Sequence, residues 1–515
     1  MQLIRLVQLS SLLFFCGFGA CASEPIVRTQ NGDVGGVTQG QVESFKALPY
    51  AAPPVGPLRW MPPREPENFT GIRDASKFSA ECPQKPEGQF TGNEDCLYLN
   101  VFRPVGARAL PVIVFIHGGS NVRGSASQTM IGDTHMYDGS QLALRNVVVV
   151  TLNYRLGALG FIAHPKLSKA SGYDGSGNYA YMDQAQALKW VQRNISAFGG
   201  DPGNVTLWGQ SAGAKSVWVH LTSPESRGLF HRAVAHSAVR EGAKKLSDQE
   251  GVGVRLSQGL GCRNAADELT CMRGKSAQEV VNALESSPGS GNYAAVVDMK
   301  VLTESPIKIM QDGQHHHMPI LQGNVEEELS MLGARESQGI TTEEKYVEAI
   351  RALIERKIPD ASVDELLRQY PSSEYQTHRK AFNAIGADRE YICPARRVLR
   401  ALTKSQTEFV GRFFYSHTLS SGQLRPFGAS HGLELLFIFD TLKSADVDPM
   451  TDTETALVKS FQDIWSSYSK TGAIPDLWKR YDGQRDNHAI FGDTVSDGNN
   501  LRTRQCDFWD TKAAP

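Results

Sequence analysis

One serine in the chain is framed for nucleophilic work. In Gly209-Gln210-Ser211-Ala212-Gly213 it stands between two glycines, directly after Val205-Thr206-Leu207-Trp208. β-Branched, aliphatic and aromatic residues in a row, begun by Gly203-Asn204, predict a short strand. Glycines on either side of Ser211 let the chain turn where larger side chains would collide, so the hydroxyl is expected at the tip of a sharp turn, a nucleophile elbow. A free serine hydroxyl is a poor nucleophile. It needs a base to take its proton, a carboxylate to hold that base, and N–H donors for the oxyanion.

The elements that must position these groups are legible mainly ahead of the elbow. Glu94 to Phe102 reads as a strand, and Leu110 to Ile116 has the continuous Val, Ile and Phe content of a strand buried on both faces. The latter ends in His117-Gly118-Gly119-Ser120, where a glycine pair exposes consecutive backbone N–H groups, a candidate oxyanion loop. Val147 to Asn153 is a further strand, and Met182 to Ile195 carries its apolar residues at helical spacing. Such alternation predicts an α/β sheet whose strand ends hold the site. Tyr50 to Trp60 is too rich in Pro and Gly for regular structure, and Trp60 is expected to be a packing aromatic. The second half reads as more helical, over Glu343 to Ile358, Val363 to Tyr370 and Glu454 to Tyr468. Met318 to Gly323 is a short strand ahead of Glu326-Glu327-Glu328.

The chain has 515 residues, 41% hydrophobic and 21% charged, without repeats or a dividing linker. Residues 23–515 are therefore read as one large domain. Residues 1–22 read as a secretory signal peptide: Arg5, an apolar run Leu12 to Cys16, and small residues Ala20-Cys21-Ala22 before Ser23. Lipoprotein anchoring at Cys21 is the alternative. Without residues 1–22 the balance is 52 basic against 55 acidic residues, which steers the protein toward neither nucleic acid nor an anionic membrane. No stable membrane insertion is expected. Six cysteines remain (82, 96, 262, 271, 393 and 506), an even number that in an exported chain favours disulfides in one of fifteen connectivities. Asn68, Asn194 and Asn204 head glycosylation sequons of use only in a eukaryote.

In α/β-hydrolases the order is Ser, then Asp or Glu, then His. Ser211, an acid within Glu326–Glu328, and His431 in Ser430-His431-Gly432 satisfy it, although 13 histidines and 55 acidic residues make order alone a weak test. Several ordered blocks add to it: Tyr50 to Pro63, Glu94 to Asn100, His117-Gly118-Gly119, Asn153-Tyr154-Arg155, Met182-Asp183-Gln184, Phe198 to Pro202, the elbow, and His431-Gly432-Leu433-Glu434. With these the chain resembles the type-B carboxylesterases, which include liver carboxylesterases, para-nitrobenzyl esterases, cholinesterases and bile-salt-activated lipases.

That resemblance implies an α/β-hydrolase fold, a large, mostly parallel mixed sheet flanked by helices with helical insertions in the C-terminal half. It implies a serine esterase acting on small-molecule esters without metal or cofactor. Ser211 matches the nucleophile and His431 the base. The acid, five residues after the glycine of its block, is Glu328 counted from Gly323; Leu329 departs from the usual Gly or Ala, and Glu327 stays open. The N–H groups of Gly119, Ser120 and Ala212 match the oxyanion donors. The implied pairing is Cys82–Cys96, Cys262–Cys271 and Cys393–Cys506. Gln210 replaces the glutamate of many relatives. Trp218 and His236 are open between the acyl pocket and core packing. His315-His316-His317, as sequence neighbours, cannot easily converge on one ion, and a solvated loop is expected there. Two other readings remain: a catalytically silent adhesion homologue, and a lipase-like enzyme for long acyl chains.

Overall fold

A computed structural model describes residues 24–238, 242–283, 293–476 and 478–512. The leader-like stretch, with Cys16 and Cys21, lies outside them. At the centre is an eleven-stranded sheet: β1 (Val37–Gln39), β2 (Val42–Pro49), β3 (Tyr98–Pro104), β4 (Leu110–Ile116), β5 (Val148–Leu152), β6 (Gly200–Gln210), β7 (Arg232–His236), β8 (Ile320–Val325), β9 (Val410–Tyr415), β10 (His488–Phe491) and β11 (Val495–Gly498). Their order is β11-β10-β9-β8-β7-β6-β4-β5-β3-β2-β1. From β5 to β10 neighbours run parallel; β1, β2, β3 and β11 pair antiparallel at the two ends. The sheet is thus mixed and mostly parallel, as expected.

Alternation along the central strands feeds two cores. Val112, Val114 and Ile116 of β4 and Val148, Val150 and Leu152 of β5 join one cluster, with Leu188 and Trp190 of α1 (Tyr179–Asn194) and Val217 of α2 (Ala212–Thr222). Ile113, Phe115, Val149 and Trp208 turn to the other face. Side chains two apart share a face of a pleated strand, so a strand apolar at every position must be covered on both sides. A third cluster, around Tyr346, Ile350, Leu366 and Ile385, belongs to the helical C-terminal half: α3 (Glu343–Lys357), α4 (Val363–Gln369) and α5 (His378–Ala387). The three disulfides form with the pairing the resemblance implies.

Two expectations are corrected. Glu94 to Leu97 precede β3 rather than belonging to it: Glu94 is drawn into an ion pair with Arg59, and Cys96 is tied to Cys82. The triple histidine is not a solvated loop. His315 and His316 are buried, contacting Gln406 Oε1 at 3.0 Å and the Ser223 carbonyl at 2.7 Å through Nε2, and only His317 is exposed. Burial lowers the pKa of both buried imidazoles.

Candidate active site

β6 runs to Gln210, and Ser211 takes φ 58° and ψ −119° before α2 begins at Ala212. This is the conformation of the first central residue of a type II′ turn, a position that favours glycine. The flanking glycines are required sterically. A Cβ on Gly209 would collide with the Gly213 carbonyl, and one on Gly213 with the carbonyl of Ile116 at the end of β4. The Ser211 N–H donates to the His236 carbonyl at 2.8 Å, which ties the turn to the end of β7.

The carboxyl ends of neighbouring parallel strands bring the other groups. After β4 comes the candidate oxyanion loop; a Cβ on Gly118 would lie 2.9 Å from Ser211 Cβ, so the loop passes directly against Ser211. Tyr154 fixes its root, donating to the His117 carbonyl at 2.8 Å and stacking on the His117 ring at 4.4 Å. Burial pushes the His117 imidazole down to about 4, which keeps it neutral at the root of this loop. Farther along the loop, Gln84, inside the Cys82–Cys96 loop, clamps Gly124 by accepting from its N–H (2.8 Å) and donating to its carbonyl (3.1 Å). Gly119, Ser120 and Asn121 all have positive φ (103°, 58° and 63°), and the Ser120 side chain is exposed. Ala212 opens a helix, where first-turn amides have no intrahelical acceptor.

The acid loop follows β8. Glu328 is fully buried, and its Oε2 lies 2.6 Å from His431 Nδ1. Its Oε1 accepts from Asn324 Nδ2 (3.0 Å) and the Val325 N–H (3.1 Å), so both oxygens are engaged. Glu327 points elsewhere, to Lys380 Nζ at 2.5 Å, while its main chain bridges to Ser430. Of the three glutamates, Glu328 is the one that reaches the histidine. His431 is 9% exposed, and among the described residues its Nε2 has no hydrogen-bond partner. The next residue packs on the elbow: a Cβ on Gly432 would lie 3.4 Å from Gln210 Nε2. Bonds between base and nucleophile are often loose before substrate binds and tighten in the complex.

Sequence reasoning missed Gln84, Asn324 and Tyr391. Tyr391 lies on a π-helical turn, Asp388–Ile392, with its ring edge-on to His431 at 5.0 Å between centroids. Beyond it is a cavity of about 280 Å³ whose apolar wall includes Leu329, Leu353, Phe382 and Ile385. Asn324 carried a signal in its place four residues before the acid; nothing marked Gln84 or Tyr391. Trp60 and Trp218 are core residues, donating to the Ala158 carbonyl (2.9 Å) and to Gln322 Oε1 (3.1 Å).

Residues 23–509 match the carboxylesterase family. The chain belongs to that family. It is 34% identical over 497 residues to the fumonisin B1 esterase of Sphingopyxis macrogoltabida, covering 92% of this chain and 87% of that one. It is 30% identical over 549 residues to the cocaine esterase of Homo sapiens, covering 98% and 94%. A solved PNB esterase superposes with a TM-score of 0.78 at 30% identity, over 94% of this chain and all of that one. The carboxylesterase is thus a carboxylic-ester hydrolase with the α/β-hydrolase fold. Its first disulfide loop, Cys82 to Cys96, holds Gly124 through Gln84 and contains Phe90 as its one aromatic residue.

Proposed function

We propose that this carboxylesterase cleaves small-molecule esters through an acyl-enzyme on Ser211, with His431 as base, Glu328 as its carboxylate, and the N–H groups of Gly119, Ser120 and Ala212 as oxyanion donors. The observation that carries the reading is the 2.6 Å Glu328–His431 contact beside a serine held at the tip of the elbow. Glu328 fixes the proton on Nδ1 and leaves Nε2 free to take the Ser211 proton as Oγ attacks the ester carbonyl. The three amides hold the resulting oxyanion. When the tetrahedral adduct collapses, the C–O bond to the alcohol breaks and His431 returns the proton to the departing oxygen. Water then attacks the acyl-enzyme by the same route, releasing the acid and restoring Ser211.

The test is a p-nitrophenyl ester series of rising acyl length beside labelling by a fluorophosphonate. One phosphonyl group on the Ser211 peptide and hydrolysis strongest at short acyl chains are expected. Hydrolysis rising toward long chains moves the enzyme to the lipases. Neither labelling nor hydrolysis leaves a binding protein.

With no tryptophan between Cys82 and Cys96, where Phe90 is the one aromatic residue, a quaternary ammonium lacks the strongest kind of cation–π partner there. Acetylcholine is expected to show a kcat/KM about tenfold or more below that of a neutral acetate ester. Equal values would contradict this. Three disulfides among residues 82–506 and the leader-like N-terminus support export, to the periplasm or the medium.

A further inference from the structure

The hydrolytic cycle makes no use of one buried histidine behind the elbow. His236 closes β7, and across the parallel ladder its register partner is Gln210, the residue before the nucleophile. Its main-chain carbonyl accepts the Ser211 N–H. Its ring makes a separate contact: Nδ1 lies 3.1 Å from Glu434 Oε1, and both side chains are fully buried. Glu434 follows His431 by three residues, in the first turn of the helix Leu433–Phe439. The main chain of His236 therefore holds the nucleophile, and its side chain holds the segment that carries the base. The rings of Phe413, Trp465 and Trp208 enclose the imidazole at centroid distances of 4.6, 5.3 and 5.5 Å, so it cannot turn away from Glu434 unless the core opens.

We propose that His236 and Glu434 form a second histidine–carboxyl pair that locks the nucleophile elbow to the His431 segment, with His236 a positioning residue for ester hydrolysis. The proposal rests on the reading of Ser211 and His431 given above. Packing alone does not call for these residues, because an apolar pair of similar volume fills such a site without the desolvation a buried polar pair suffers. A hydrogen bond across the two segments supplies what packing lacks, a fixed direction and distance.

The charge state fits that task. Burial drives His236 well below its usual range, and burial together with the nearby Glu328 carboxylate raises Glu434 to about 8. The titratable groups facing Glu434 are His236, Glu328, His431 and the phenols of Tyr137 and Tyr415. At neutral pH the pair is uncharged with one transferable proton, and it adds no second negative charge beside Glu328. Gln210, whose amide spans from Gly118 to Gly432, is uncharged as well. A glutamate at that position would crowd the same space with another carboxylate.

The test is a double-mutant cycle on the full chain with p-nitrophenyl acetate and a fluorophosphonate, using His236→Leu, Glu434→Met, the double variant and His236→Asn. Asparagine can present an amide N–H near the place of Nδ1. Each single variant is expected to lose about 10- to 100-fold in kcat and in phosphonylation rate, with KM within about twofold, as a slight misplacement of reacting groups does. The double variant should lose no more than the worse single one, His236→Asn should recover most of the loss, and the double variant, with both polar partners replaced by apolar ones, should melt no lower than wild type. A folded His236→Leu with wild-type kcat overturns the proposal, as do losses that multiply in the double variant. If His236→Leu does not fold, Glu434→Met at wild-type kcat overturns it equally. A wild type that is neither labelled nor active would instead sink the reading of Ser211.

Discussion

Ser211→Ala is expected to fold normally and to lose kcat by about 10⁴- to 10⁶-fold, the scale on which removal of a triad nucleophile acts. A finer expectation separates nucleophile from scaffold. Ser211 holds φ 58° and ψ −119°, where any Cβ is unfavourable at a cost of about 1–3 kcal/mol. Alanine keeps that Cβ and keeps the strain. Glycine removes it, at an entropic cost of about 0.5–1 kcal/mol. Ser211→Gly should therefore be as inactive as Ser211→Ala yet melt higher by about 1–2 °C, read by thermal unfolding at one scan rate. If Ser211→Ala keeps most of its activity, the elbow is not the nucleophile. If Ser211→Gly melts well below Ser211→Ala, the strain is not there.

How much of this was legible in the sequence depended on whether the deciding contacts were local. The elbow was legible because its demands are local: a strand, a turn, and glycines at the two places where a Cβ would strike backbone. β4 was legible because burial on both faces makes every position apolar. β9 was not, although it lies in the parallel part of the same sheet. Arg412 interrupts its apolar run, and the residue that makes this arginine tolerable in the core, Asp486, is 74 positions away. The π-helical turn that brings Tyr391 to His431 depends on backbone hydrogen bonding that one sequence does not announce. His315 and His316 were misread because a histidine's burial depends on distant acceptors, here Gln406 and the Ser223 carbonyl. For the acid, three successive glutamates offered equivalent chemistry; the resemblance pointed to Glu328 by its spacing from Gly323 but left Glu327 open, and the path of the chain past β8 separates the two.

That separation gives the second large effect. Glu328→Gln is expected to lower kcat by about 10³- to 10⁴-fold, as neutralising a triad carboxylate does, while Glu327→Gln stays within about twofold, since the Glu327 carboxylate pairs with Lys380 and not with His431. The reason lies in the two oxygens of Glu328. One meets His431 Nδ1, and the other accepts from Asn324 and the Val325 N–H. A glutamine has one acceptor for these two duties. If its oxygen stays with Val325, its NH₂ faces His431 and forces the proton onto Nε2, the atom that must accept from Ser211. If its oxygen turns to His431, the NH₂ confronts the Val325 N–H, and a buried donor is left unpaired at a cost of about 1–3 kcal/mol. Either arrangement harms the site, the first through the tautomer of the base and the second through the stability of the acid loop. The two are distinguished by following kcat and the melting temperature together: a large loss of kcat at an unchanged melting temperature indicates the wrong tautomer. Comparable losses from Glu327→Gln and Glu328→Gln would mean that the Lys380-paired glutamate also serves the base, which the separate directions of the two side chains oppose.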